Sequence, residues 1–286
     1  MPTVVEDPAL RCGSCDGCGY RPIRPPLSFK MIQKLTLRHD ELKVRKTSKP
    51  SINIRAFGHK LYSCQERFTV EVFNHDLTPM HTWSKPEWGD VNDVTELSDK
   101  QIAVAGSKGL FLVSAGGETR VVLLRNVLCS SCVFLQGRLF ACCNSLQQIF
   151  VYELSNKRWE EAKTIHRQIT GCSRVKMVVS ERNTVFYGST NPHIICELDV
   201  DGNVITDHVI AAAGDYLMCS VDVKGSILAI DKTNRCLGVY KRRVGWSVLS
   251  RLEPPVKNPQ SAVVIKNNLC VASDDSQLLL YTSEVA

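Results

Sequence analysis

Residues 217–252 hold four short apolar runs: LMCSVDVK (217–224), SILAIDK (226–232), CLGVYKRR (236–243) and WSVLSRL (246–252). Lys224-Gly225 and Thr233-Asn234-Arg235 separate them as turns. Runs of this length, rich in β-branched and aromatic residues and bounded by Gly or Asn, read as strands. The preceding unit repeats the plan with CSRVKMVVS (172–180), TVFYGST (184–190), HIICELDV (193–200) and VITDHVI (204–210). Asp201-Gly202 between its last two runs predicts a two-residue hairpin turn in which both residues take positive φ. Gly116-Gly117 and Gln136-Gly137 mark further turns in the same frame.

The second run of each unit carries the period along the chain: KLYSC, KQIAVAG, RLFACCN, TVFYGST, SILAIDK and NLCVASD. Their leading apolar residues are Leu61, Ile102, Leu139, Val185, Ile227 and Leu269, at intervals of 41, 37, 46, 42 and 42. No window alternates apolar residues at helical spacing, and Glu160-Glu161-Ala162-Lys163, the nearest to a helix, fits an outer strand better. Four-stranded units at this period predict an all-β fold, a six-bladed β-propeller. A lone sheet cannot bury both faces, so each unit needs two neighbours, and a ring supplies them. The sixth unit offers only PQSAVVIK, NLCVASD and QLLLYTS. The orphan stretch Phe29–Arg38 is expected to complete it as an N-terminal strand beside Gln277–Ser283, closing the ring. The division that follows is a Cys/Gly/Pro-rich tail over 1–28 and a propeller over 29–286.

The apolar content, 44%, fills a sizeable core. No run approaches the length of a membrane-spanning helix. The net charge of +6 is concentrated early: ten of the 35 Lys and Arg but five of the 29 Asp and Glu fall in residues 1–49. The remaining 237 residues carry +1, which does not favour general phosphate-backbone binding. Thirteen cysteines, an odd number, mostly within apolar runs and with no secretory h-region ahead of them, read as buried reduced thiols in a cytoplasmic protein.

SILAIDKTNRCLGVY resembles the NHL repeat, with Asp231, Asn234, Arg235 and Tyr240 near its signature positions, although Arg235 follows Asn234 without the usual spacer. The resemblance implies a six-bladed propeller of the kind that ends many tripartite-motif proteins, with roles in ubiquitin-related assemblies or RNA control. IFVYELSNKRWEE, with Tyr152 and Trp159, resembles a kelch outer hairpin, but the Gly pair of kelch blades occurs once and elsewhere. CDGCGYRPI resembles the first ligand pair of a ZZ-type zinc finger. Cys12, Cys15 and Cys18 have the spacing by which thiolates converge on zinc, and a fourth ligand would have to come from His39, His59, Cys64 or another chain. The alternative is a plain Gly/Cys tail with no cofactor.

The seven histidines are scattered, and no phosphate loop or nucleophile motif is present, so no catalytic residue is assigned and the chain is not expected to be an enzyme. Propeller lyases and hydrolases hold a metal over the channel with residues at inner-strand tops. Asn92, Asp93, Asp215 and Asn258 stand near such tops here, where Asp and Asn are also ordinary turn residues. In a propeller the turns between second and third strands share a face with the links to the next sheet. That expected partner-binding face carries Trp83, Lys85, Trp88, Lys108, Arg125, Arg167, Asn191, His193, Lys232, Asn234, Arg235 and Lys257. The tryptophans of WSKPEW are either an exposed hot spot or the seal between the first two sheets. A protein or peptide is the expected partner, RNA the alternative, and no membrane is implied.

Overall fold

The computed structural model describes residues 43–98, 100–155, 158–166, 175–180, 182–189, 194–209, 216–221, 227–231, 236–241, 245–251, 256, 258–266 and 268–282. Strand β1 (Lys43–Lys46) comes first among the described residues but pairs with the last strand described. Five sheets then follow in simple order. The first holds β2 (Ser51–Phe57), β3 (Lys60–Gln65), β4 (Thr69–Asn74) and β5 (Pro79–Ser84). The second holds β6 (Val91–Ser98), β7 (Gln101–Gly106), β8 (Gly109–Ser114) and β9 (Thr119–Arg125). The third holds β10 (Cys129–Leu135), β11 (Arg138–Cys143), β12 (Gln148–Ser155) and β13 (Arg158–His166). The fourth holds β14 (Val175–Val179), β15 (Val185–Ser189), β16 (Ile194–Leu198) and β17 (Val204–Val209). The fifth holds β18 (Tyr216–Val221), β19 (Ile227–Asp231), β20 (Cys236–Lys241) and β21 (Gly245–Arg251). The sixth runs in the order β1, β24 (Gln277–Thr282), β23 (Asn268–Ser273), β22 (Pro259–Ile265). The result is an all-β propeller, and Glu160–Lys163 lie in outer strand β13.

Burial explains why the strands differ in composition. Second strands β3, β7, β11 and β23 are buried on both faces after their first residue, so they read as continuous apolar runs. Outer strands β5 and β9 are largely solvated and carry polar and charged residues. The inner strands β2, β6, β10, β14, β18 and β22 each contact the next, and β22 contacts β2. Apolar side chains fill the seams between sheets. Trp83, Trp88, Tyr62 and Val72 pack with Val94, Val104 and Phe111 between the first and second. Ile54, Leu61 and Phe73 pack with Val263, Cys270 and Leu280 between the first and sixth. The buried cysteines among the described residues, including Cys64, Cys142, Cys196 and Cys270, are free thiols within these seams.

Two sequence expectations need correction. The edge of β24 is occupied by Lys43–Lys46, with Lys43 opposite Leu280 and Lys46 opposite Gln277, not by Phe29–Arg38. All four β1 residues are exposed, so this position selects for solvated side chains, and edge lysines discourage further strand pairing. An apolar orphan was therefore the wrong template. Residues 29–38 lie outside the described residues. The Asp201-Gly202 turn is also longer than expected. Gly202 alone is left-handed, at φ 73°, and the loop spans Asp199 to Asn203, with Asp199 N–H donating to Asn203 O over 2.9 Å. The Gln136-Gly137 turn has both residues at positive φ, 47° and 82°.

Candidate functional site

The turns between second and third strands meet the inter-sheet links on one face. The Arg67 N–H donates to the Asp90 carboxylate over 2.8 Å, and the Asn126 N–H donates to Lys108 O over 2.8 Å. The Lys108 ammonium donates to Pro86 O over 3.1 Å. Gly89, at φ 66°, lets the 85–90 link lie against the next turn, because a Cβ there would sit 2.1 Å from the Ser107 hydroxyl. Two loops from different sheets are thereby locked together.

The β3–β4 turn is the unusual element of this face. Arg67 and Phe68 stand at φ 54° and 61°. A turn with two left-handed residues ordinarily takes Asn-Gly, because a Cβ is strained there by about 1–2 kcal/mol per residue. Three bonds from outside the turn hold it: the Arg67–Asp90 bond, Lys85 N–H to Phe68 O at 3.0 Å, and the Lys49 ammonium to Arg67 O at 3.2 Å. The Lys49 ammonium also lies 4.9 Å from the centroid of the Phe68 ring, a cation–π contact. Arg67 is left exposed and Phe68 half-buried. Local strain maintained by tertiary contacts is a pointer to function rather than to folding.

Beneath this face the channel is lined by a buried polar belt. Asp93 Oδ1 accepts from Asn53 Nδ2 at 2.7 Å, Arg55 Nε at 2.7 Å and the Val94 N–H at 3.0 Å. Asp93 Oδ2 accepts from Arg55 Nη2 at 2.6 Å, the Ser131 hydroxyl, and the Cys132 N–H at 3.2 Å. Arg55 Nη2 donates onward to Met177 O at 2.7 Å, and Ser261 donates to Asn53 Oδ1 at 2.8 Å. Five inner strands are thus tied through two charges. Burial alone would raise the Asp93 carboxyl, but the Arg55 charge and hydrogen bond, with help from Lys176 and Ser131, hold it below the usual carboxylate range. Its oxygens are committed to these donors, so the carboxylate is a structural group rather than a general base. Lys176, 3% exposed, donates to Asn92 O over 3.1 Å. Below the belt lies a cavity of about 240 Å³ between Arg55, Phe57, Val94, Phe134, Val178 and Val264.

Of the residues expected on the partner face, Lys85, Lys108 and Arg125 stand on it, Lys108 and Arg125 exposed and Lys85 half-buried. Trp83 and Trp88 do not serve there, and the hot-spot reading is corrected. They are 8% and 0% exposed, and Trp88 Nε1 donates to the Thr119 hydroxyl over 3.1 Å. Large aromatic rings gain more from the dry seam between two sheets than from solvent. Arg167, Asn191, His193, Lys232, Asn234, Arg235 and Lys257 lie outside the described residues, as do Cys12, Cys15, Cys18 and Asp215. Asn92 donates to Cys129 O over 2.8 Å and Asn258 to Asp274 over 2.8 Å, so neither is gathered with Asp93 into a ligand set. Among the described residues no three His, Cys, Asp or Glu side chains cluster as a metal site. Sequence reading missed Arg67 and Phe68. Their signal was the absence of Gly, Asn or Asp between KLYSC and TVEVFN, where a tight hairpin needs them.

No family model matches the chain, and no curated protein matches it. Its backbone is similar to that of virginiamycin B lyase from Staphylococcus aureus, at TM-score 0.62 and 9% identity, over 85% of this chain and 100% of that one. It is similar to the β-propeller domain of Cps50 (Swd1) from Myceliophteria thermophila, at TM-score 0.60 and 10% identity, over 85% and 100%. The Neurospora crassa Pan2 WD40 domain superposes at TM-score 0.58 and 10% identity, over 84% and 90%. At these identities the likeness concerns the fold alone.

Proposed function

We propose that this chain is a non-catalytic interaction module of the cytoplasm that presents the face around Arg67 and Phe68 to a protein or peptide. On this reading the six sheets are six blades, and β1 on the edge of β24 is the clasp between the chain's two ends. The observation that carries the proposal is the strained, tertiary-braced Arg67-Phe68 turn. It offers a guanidinium and an aromatic ring, both favoured at binding hot spots. Around it stand Lys49, Lys85, Lys108 and Arg125, against Glu66, Glu87 and Asp90, which favours an acidic partner segment. Propeller neighbours that include a WD40 domain support a protein partner in general terms.

The test is affinity capture with the full chain beside an Arg67→Gly/Phe68→Gly variant and a Leu154→Lys control, Leu154 being an exposed residue of β12. Partners lost with the turn variant and kept with the control support the proposal. Partners equally retained by both variants sink it. RNA is the second reading, favoured by the pairing of an exposed arginine with an aromatic ring, which suits base stacking. Filter binding over a salt series separates the two, since RNA held by this face shows affinity falling steeply with salt.

A further inference from the structure

Cys129 and Cys143 begin β10 and end β11, and they are partners in the antiparallel register. Their sulfurs are 3.0 Å apart, and both residues are fully buried. Directly opposed residues of an antiparallel pair hold their Cα atoms about 4.5–5.5 Å apart. That range lies within the window of about 4.4–6.8 Å that a disulfide requires. Both side chains face the second sheet, among Ala103, Ala105 and Leu112. The other two thiols of this hairpin are excluded by register. Cys142 points to the opposite side, towards Met177 and Tyr187, and stands across from Ser131. Cys132 shares the face of Cys129 but stands across from Ala141.

We propose that Cys129 and Cys143 form a dithiol–disulfide site that closes by exchange with a small-molecule disulfide such as oxidised glutathione. One protein thiolate attacks a glutathione sulfur, giving a mixed disulfide and one glutathione thiolate. The second protein thiolate then displaces the other glutathione. The two protein thiols lose two electrons and two protons, and the glutathione disulfide becomes two glutathione thiols. In the folded chain, the hydrogen bond it shares with Cys143 and its burial push the Cys129 thiol well above its usual range, which makes it a poor nucleophile. Exchange therefore runs while the upper end of the hairpin is open, chiefly during folding, and the buried pair then keeps the redox state in which it folded. Its position gives the bond a consequence. The carbonyl of Cys129 accepts from Asn92 at the channel rim, and Cys143 leads directly into the Asn144–Leu146 turn on the partner face. A disulfide here pins an inner strand to that face.

The test uses the full chain, refolded from urea in glutathione buffers of graded disulfide-to-thiol ratio, alkylated and digested with trypsin. The expected result is the loss of one pair of alkylatable thiols and a cross-link between the peptides 126–138 and 139–157, fragmenting to Cys129–Cys143. Cys132→Ala and Cys142→Ala keep the cross-link, and Cys129→Ser abolishes it without transfer to Cys132. The same buffers applied to the reduced, never-unfolded chain form the bond far more slowly, and sub-denaturing urea restores the rate. Both cysteines alkylated at every ratio, or Cys143 joined to another cysteine, overturns the proposal. Mapping of the unsubstituted chain decides it even where Cys129→Ser does not fold.

Discussion

The channel belt and the seam between the first two sheets are both buried, yet they are held by opposite chemistries. The seam is apolar area: Trp83, Trp88, Tyr62 and Phe111 interdigitate, and the polar tips of two of them reach partners, Trp88 Nε1 donating to Thr119 and the Tyr62 hydroxyl to Glu96. The belt is almost all donors and acceptors, with Arg55 and Asp93 at its centre and partners on five inner strands. Apolar burial is non-directional and tolerates small shifts. Hydrogen bonds to a buried charge do not, because a shift of one residue leaves the charge unpaired. The seam therefore supplies stability, while the belt sets which residue of five inner strands faces the channel at a common height.

The largest effect expected from breaking this contrast is at Asp93. Asp93→Ala leaves the Arg55 guanidinium buried without its carboxylate and is expected to cost about 3–5 kcal/mol. Replacing both, as Arg55→Met with Asp93→Leu, recovers most of that loss in urea unfolding. A double variant no more stable than the single one would show that the belt is not one coupled unit. The same pair gives a pH dependence. The folded-state pKa of Asp93 is depressed, so its contribution is present above the unfolded value of about 3.9 and is lost as pH falls through the lower folded value. The unsubstituted chain should thus lose stability below about pH 4 more steeply than the double variant.

In the seam, Trp88→Ala removes a fully buried indole and is expected to cost about 3–5 kcal/mol. Trp88→Phe keeps most of the area and loses the bond to Thr119, for about 1 kcal/mol. A smaller effect reaches the same seam through the backbone. Gly117 is at φ 85°, and a Cβ there would lie 2.3 Å from Trp83 Cδ1. Gly117→Ala should therefore cost about 1–3 kcal/mol, read as a lower urea midpoint with unchanged slope.

The two regions were not equally legible beforehand. Seam residues lie in continuous apolar runs whose period of about forty residues is visible along the chain, so the propeller followed from sequence alone. Whether Trp83 and Trp88 faced the seam or solvent did not, because WSKPEW sits in a link whose path depends on its neighbours. The belt left only a faint mark, polar residues inside inner runs such as SINIRAF and VNDVTEL. Asn53, Arg55, Asp93 and Ser131 are ordinary in one dimension and meet only when five strands converge. The edge beside β24 departs from the expectation of Phe29–Arg38 for a related reason. An outer strand is solvated, so apolar content is no guide to which segment fills it.

The smallest stability change is expected on the partner face, and it sharpens the contrast most. Arg67 and Phe68 belong to neither the belt nor the apolar cluster of the seam. Glycine accepts φ of 54° and 61° without the strain that a Cβ brings. Against this stand the loss of the Lys49–Phe68 contact, worth about 0.5–1 kcal/mol at an exposed site, and the larger unfolded-state entropy of two glycines, about 0.4–1 kcal/mol each. These terms oppose the strain relief, so Arg67→Gly/Phe68→Gly should shift the urea midpoint little. Partner capture should nevertheless fall away. A turn kept in a strained conformation for folding would show the reverse, a clear drop in stability with binding intact.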